Sequence, residues 1–370
     1  KAGAKVLYIT AKTAKTVSTT VNTGKSETIT GLQSIIDAYS KGKDKTPIAF
    51  RIIGKVSLSD LDHISSSAEG LQVKGAKMNM TFEGVGDDAT VYGFGFLLRE
   101  AVSVEFRNFA IMRCLDDAMS LDTKNSHVWI HNMDLFYGKK GGAADQAKGD
   151  GTVDIKGDSK YVTVAYNRFW DNGKASMCGM KSETGENWIT YHHNWFDHSD
   201  SRMARVRTMS VHMYNNYYQH CDVYGIGATS GSSVFMESNY FDAVKRPIMS
   251  SLQGTDAKGD GTFSGEKGGL IKAYGNVFAN KPDNFSYIPY AENNTSFDAY
   301  EVSDPSEQVP ASVKTLVGGT SYNNFDTNSS LMYAYAADKA EDVPSIVEGF
   351  YGAGRLNHGD IDFVIPDETV

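Results

Sequence analysis

Short stretches in which apolar and polar residues alternate recur through the middle of the chain. Ser103-Val104-Glu105-Phe106, His127-Val128-Trp129-Ile130, Tyr161-Val162-Thr163-Val164, Trp188-Ile189-Thr190-Tyr191, Ser210-Val211-His212-Met213 and Ser233-Val234-Phe235-Met236 follow this pattern. A period of two, rich in β-branched and aromatic side chains, predicts strands and not helices. An Asn flanked by bulky residues recurs seven times, the first six each after one of these stretches: Asn108, Asn132, Asn167, Asn194, Asn216, Asn239 and Asn276, at intervals of 24, 35, 27, 22, 23 and 37 residues. A base interval near 23 with occasional longer gaps is the mark of a stacked repeat. A unit of that length holds two or three short strands and tight turns, which is one coil of a parallel β-helix. Identical Asn residues stacked coil upon coil can then share amide hydrogen bonds as a ladder.

Departures from the repeat predict the remaining architecture. Leu32, Ile35, Ile36 and Tyr39 recur at helical spacing, so an N-terminal helix is expected to cap the open end of the stack. Gly138–Gly149 and Gly254–Gly269 lengthen two coils, and such insertions gather on one face and build clefts. From about residue 280 the pattern becomes irregular and reads as a wrap around the body. No linker interrupts residues 1–370, which read as one all-β, right-handed parallel β-helix domain with long loops on one face.

Composition narrows the partners. Hydrophobic residues make up 41% and charged residues 22%, which is the balance of a folded chain with a large core. No apolar run reaches the ~18 residues of a membrane-spanning helix. The formal charge is −9 with no basic run, so nucleic acid is not an expected partner. Cys114, Cys178 and Cys221 are too few and too scattered for a disulfide framework and are expected to be buried, small and apolar. The opening Lys1-Ala2-Gly3-Ala4 suits a mature secreted protein, and a monomer is expected.

The candidate chemistry is acidic and basic in close succession. In Asp150-Gly151-Thr152-Val153-Asp154-Ile155-Lys156, Asp154 and Lys156 leave an extended strand on one face, ~7 Å apart. Asp150 would be ~13 Å from Asp154 on a straight strand, so both reach one ion only if Gly151 bends the chain. Asp116 and Asp117 belong to an earlier coil, and a strand there would turn only one of them to the site. Three carboxylates with water form an oxygen-rich site of the kind calcium accepts. Asp200-Ser201-Arg202-Met203-Ala204-Arg205-Val206-Arg207 puts three guanidiniums within six residues, and Lys174 lies in a coil between. Arg is suited to gripping carboxylates in a fork. Together these residues suggest a groove for an acidic oligomer bridged by a cation. His192 and His193, neighbours on an expected strand, should face opposite ways and pack or cap turns.

These residues resemble the pectate lyases of the polysaccharide lyase family 1 type. The likeness runs from Leu32 through Val91-Tyr92-Gly93, Val128-Trp129-Ile130, Asp150–Gly157, Tyr191-His192-His193-Asn194, Arg202–Arg207 and Val211–Asn216 to Tyr351-Gly352-Ala353-Gly354. The resemblance implies secretion, calcium dependence and β-elimination of α-1,4-polygalacturonate. It assigns Asp150, Asp154 and Asp117 to the calcium, with Asp116 as the alternative to Asp117. It makes Arg202 the catalytic base and Lys156, Lys174 and Arg207 the substrate-binding cations; Arg205, between the two arginines, is a further substrate-binding candidate. Two positions depart from the family pattern: His131-Asn132 stands where Asp-His is usual, and Ala204 where proline is usual. A pectin lyase, a polygalacturonase-like hydrolase using paired carboxylates and a non-catalytic carbohydrate-binding β-helix are the competing readings.

Overall fold

In a computed structural model, which describes residues 3–136 and 149–350, the six alternating stretches become successive parallel strands of one sheet. Val104, Val128, Val162, Ile189, Val211 and Val234 stand side by side across it, each the partner of the next. All six are 1% exposed or less, so the inward half of the alternation builds the core, as a period of two requires. A second face is an eight-stranded sheet running from Gly70–Lys74 to Ile248–Ser250. A third consists of three-residue strands such as Arg168–Trp170, Trp195–Asp197 and Tyr217–Gln219. The chain visits the three in turn, forming a right-handed parallel β-helix. Strand spacing of ~4.8 Å stacks like on like inside it: the rings of Phe169, Phe196, Tyr218 and Phe241 follow one another at 4.8, 4.9 and 4.4 Å.

The Asn residues divide into two groups. Asn167, Asn194, Asn216, Asn239 and Asn276 form a continuous ladder, each Nδ2 donating to the next Oδ1 at 2.9–3.1 Å. Asn108 and Asn132 are not in it. They occupy the preceding corner position, with φ of 60° and 52°, where Tyr166, His193, Asn215 and Ser238 stand in later coils. Asn tolerates that left-handed conformation better than most residues. The ladder position in these two coils is filled by buried Phe109 and Met133, so the shared phrase conceals a shift of one residue.

The expected cap is the helix Leu32–Ser40, which buries Leu32, Ile35, Ile36 and Tyr39. Its first N–H groups, on Gln33 and Ser34, donate to the Asp62 carboxylate. Gly31 (φ 100°) leaves room for that contact, since a Cβ would lie 2.4 Å from Asp62 Oδ2. The buried Gln33 amide pairs with both backbone groups of Gln72 at 2.9 and 3.0 Å, satisfying part of the strand edge that would otherwise be bare.

Residues 280–350 carry little regular structure and fasten to the body by polar contacts. Lys272 Nζ meets Asp326 Oδ2 at 2.6 Å with both side chains fully buried, and Tyr335 donates to Glu237 at 2.6 Å. Val343 and Val347 of the last helix pack on Tyr217. Among the described residues no helix is long and apolar enough to cross a membrane. Gly138–Lys148 of the first insertion and Tyr351–Gly354 lie outside the described residues.

Candidate active site

The eight-stranded face brings the singled-out acids and bases together because its central strands carry them at matching heights. Ser120 pairs with Asp154, Asp154 with Met177 and Met177 with Arg205. Gly151 pairs with Lys174, and Lys174 with Ser201.

The carboxylates sit where coils meet. Asp116 and Asp117 precede the strand Met119–Thr123 in a bend, so the alternation that would separate them on a strand does not apply. One oxygen each from Asp116, Asp117 and Asp150 all lie within 4.8 Å of one another. Both members of the pair therefore join Asp150, where the sequence reading expected one. Asp154 lies behind them; its Oδ1 accepts from Met177 N–H at 3.1 Å. Gly151 does not bend the chain. It is an ordinary member of the strand Gly151–Ile155, and what it contributes is the absence of a side chain. A Cβ there would lie 2.5 Å from Asp154 Oδ1 and 2.7 Å from Asp117 Oδ1.

Crowded acids resist ionisation. Burial, then the charges of Asp117 and Asp150, push Asp116 up to about 6. Burial and the Asp117 charge push Asp154 up to about 7. Burial also raises Asp117, although Lys156 opposes it. Lys156 bridges Asp117 at 3.0 Å and Asp154 at 3.6 Å. Burial disfavours its ammonium, but the two carboxylates outweigh that and hold it well above the usual lysine value. Lys174 reaches Asp150 at 3.2 Å. Carboxylates with no sulfur or nitrogen ligand among them, Asp116 and Asp150 partly accessible and Asp117 buried, fit a hard divalent cation such as calcium.

Strand Ser201–Arg207 solves a parity problem. Arg202 and Arg207 are five apart, so strict alternation would send them to opposite faces. The register slips between Ser176↔Met203 and Met177↔Arg205, leaving Ala204 as an extra residue, a β-bulge. Met203, Ala204 and Val206 all join the core, and Arg202, Arg205 and Arg207 share the outer side. The charge of Arg202 is close enough to favour ionised Asp154. Bulges commonly re-aim side chains beside active sites.

Arg205 does not reach the groove directly. Only 4% exposed, it pairs with Glu266 at 3.1 Å, donates to Phe263 O at 3.0 Å and lies over the Phe263 ring. Arg207 grips the same Glu266 through Nε at 3.0 Å and also contacts Met177 Sδ. Lys181 adds a third cation at 3.0 Å and Thr229 a hydroxyl at 2.8 Å. Burial works against the Glu266 charge, but Arg207, Thr229 and Lys181 overcome it and depress Glu266 to about 2. Glu266 was not foreseen from the sequence. The only signal was the Gly254–Gly269 insertion that delivers it, and no spacing within that loop marks one residue.

His192 and His193 do not face apart. His193 is a corner residue (φ 53°) beyond the strand Ile189–His192. The two rings are hydrogen-bonded at 2.9 Å, and His193 reaches Asp338 of the wrap.

Known proteins resemble this chain in sequence and in fold. A family model described as pectate lyase matches residues 9–287. The chain is 28% identical over 231 residues to a pectate trisaccharide-lyase of Bacillus licheniformis, covering 61% of this chain and 65% of that protein. It is 26% identical over 299 residues to pectate lyase C of Dickeya chrysanthemi, covering 79% and 71%. In three dimensions it resembles a pectate lyase of a Bacillus species solved with trigalacturonate (TM-score 0.63, 22% identity, 96% and 95% coverage). It resembles equally pectate lyase C of Erwinia chrysanthemi solved with calcium (TM-score 0.63, 22% identity, 98% and 95% coverage). At that identity the likeness is one of fold, and the chain spans under two thirds of the B. licheniformis relative.

Proposed function

The chain belongs to the pectate lyase family, and from that premise we propose that it cleaves α-1,4-polygalacturonate by calcium-dependent β-elimination, leaving 4,5-unsaturated ends. The observation that carries this reading is the meeting of Asp116, Asp117, Asp150 and Asp154 with Lys156, Lys174 and Arg202 on one outer face. The relatives solved with trigalacturonate and with calcium support the choice of substrate and ion. An extracellular setting follows from a polymeric wall substrate.

The chemical difficulty is the C5 proton of galacturonate, which is poorly acidic because the neighbouring carboxylate is already negative. Asp116, Asp117 and Asp150, with Asp154 behind them, would hold calcium, which when bound supplies positive charge against the substrate carboxylate. Lys174 and Arg207 bind the same carboxylate, and Lys156 neutralises Asp117 and Asp154 while contacting the sugar. Arg205 acts through Glu266, which fixes the Arg207 fork. Arg202 takes the C5 proton as the C4–O bond breaks, the electron pair forms the C4–C5 double bond, and the departing oxygen is protonated by water. A guanidinium loses its proton only at pH above ~12 in water, so an arginine base implies an alkaline optimum.

Polygalacturonate incubated with the protein and calcium at alkaline pH should give rising absorbance from the unsaturated product, and chelator should stop it. Reducing sugar without that absorbance would establish a hydrolase instead. Chelator-resistant cleavage of methyl-esterified pectin would establish a pectin lyase.

A further inference from the structure

A groove of about 610 Å³ lies on a different face from the carboxylates, across the first five strands of the long sheet. Its floor is the outward row of residues on Lys5–Ile9, Ile48–Ser57, Lys77–Tyr92, Val102–Arg107 and Ser126–His131. Later strands of the same sheet are roofed by the wrap, where Tyr333 bonds to Thr190 and His212. Among the described residues, none of the wrap lines the groove over the first five. We propose that this groove is a second, non-catalytic carbohydrate site that binds a neutral polysaccharide chain.

Three observations point to that ligand. Trp129 is 47% exposed on a strand centre, although a side chain of that size is normally well buried. Its indole stacks on His131 at 3.8 Å, and both nitrogens of that imidazole are engaged, by Asn132 and Glu105. The indole is thus a platform held in one orientation. Two further exposed rings stand at the borders of the row, Tyr8 beside Arg51 on the far edge strand and Tyr161 beside His127. Aromatic faces of this kind accept the C–H face of a pyranose.

The polar lining supplies the rim. Arg51 and Arg107 grip Glu83 at 2.7 and 2.6 Å, and Arg107 also reaches Glu105 at 3.1 Å. These fixed, planar, partly accessible groups offer donors and acceptors to sugar hydroxyls. Two guanidiniums balance two carboxylates, so the described lining has no net charge with which to draw a polyanion. The core of a protein–protein interface is depleted of charged residues, and four in the floor argue against that occupant. Five strands at ~4.8 Å make a row about 19 Å long, room for a short run of sugars.

Affinity electrophoresis through gels containing linear β-1,4-galactan, xyloglucan or arabinoxylan tests the site. Wild-type protein should be retarded by at least one of them. Trp129→Ala and Arg51→Ala should weaken the retardation at least about tenfold with polygalacturonate turnover unchanged. The proposal is overturned if none of the three retards the wild type, or if both variants behave as wild type. It is also overturned if sedimentation finds a dimer that Trp129→Ala dissolves, which would make the face a self-interface. Turnover of polygalacturonate is read separately, so failure here leaves the lyase reading standing, and the reverse.

Discussion

A missing methyl group at Gly151 governs how close the site carboxylates come. Alanine there would press into Asp154 and Asp117, and groups behind metal ligands commonly change affinity 10–100-fold. Gly151→Ala should therefore weaken calcium binding at least about tenfold by calorimetry, and an unchanged Kd would remove Gly151 from the account. Glu266 is the other residue on which much depends. In Glu266→Gln the Arg205 guanidinium stays buried without its counter-charge, and breaking such a pair costs about 3 kcal/mol or more. Denaturant unfolding should show that loss, together with a raised KM as the Arg207 fork loosens. Losses under about 1 kcal/mol would mean that solvent screens the cluster. The sequence made Gly151 conspicuous for the wrong physical reason, a bend, because it says nothing of what stands over a Cα. It left Glu266 silent because the partners that give it meaning are 59 residues or more away along the chain in Arg205 and Arg207.

Whole strands were far easier to foresee. Alternation depends on neighbours in sequence, and the core enforces it, so Val104 to Val234 align as their spacing implies. The bulge at Ala204 was hidden, because a register slip is defined by the strand alongside. The ladder was legible in kind and misread at one end, since Asn suits both a left-handed corner and a stacked amide. Asn216 is in the middle of it, donating to Asn239 and Tyr191 O and accepting from Asn194. Asn216→Ala should cost about 2–3 kcal/mol, as buried partners go unmet, whereas Asn132→Ala breaks no rung and should cost well under half of that. Equal losses in denaturant melts would refute the distinction.

Over the whole molecule, the acid cluster couples stability to pH and to calcium. Asp116 and Asp154 titrate near 6 and 7 in the fold, against about 3.9 in the unfolded chain. Between those values the folded state holds more protons, so the cluster's contribution to stability falls as pH rises from about 4 to 7. Calcium needs ionised carboxylates and should recover the deficit above pH 7. The stabilisation it gives should approach the ~2.7 kcal/mol expected at a hundredfold excess over Kd, raising Tm clearly at pH 8 and hardly at all at pH 5. Equal shifts at both pH values would place the ion elsewhere. The central claim is that Arg202 strips the proton beside this cluster. The initial rate of unsaturated-product formation by Arg202→Lys, in saturating calcium, tests it most directly. A fall of at least about a hundredfold, with melting and calcium affinity unchanged, is the predicted result. A rate within a few-fold of wild type would contradict it.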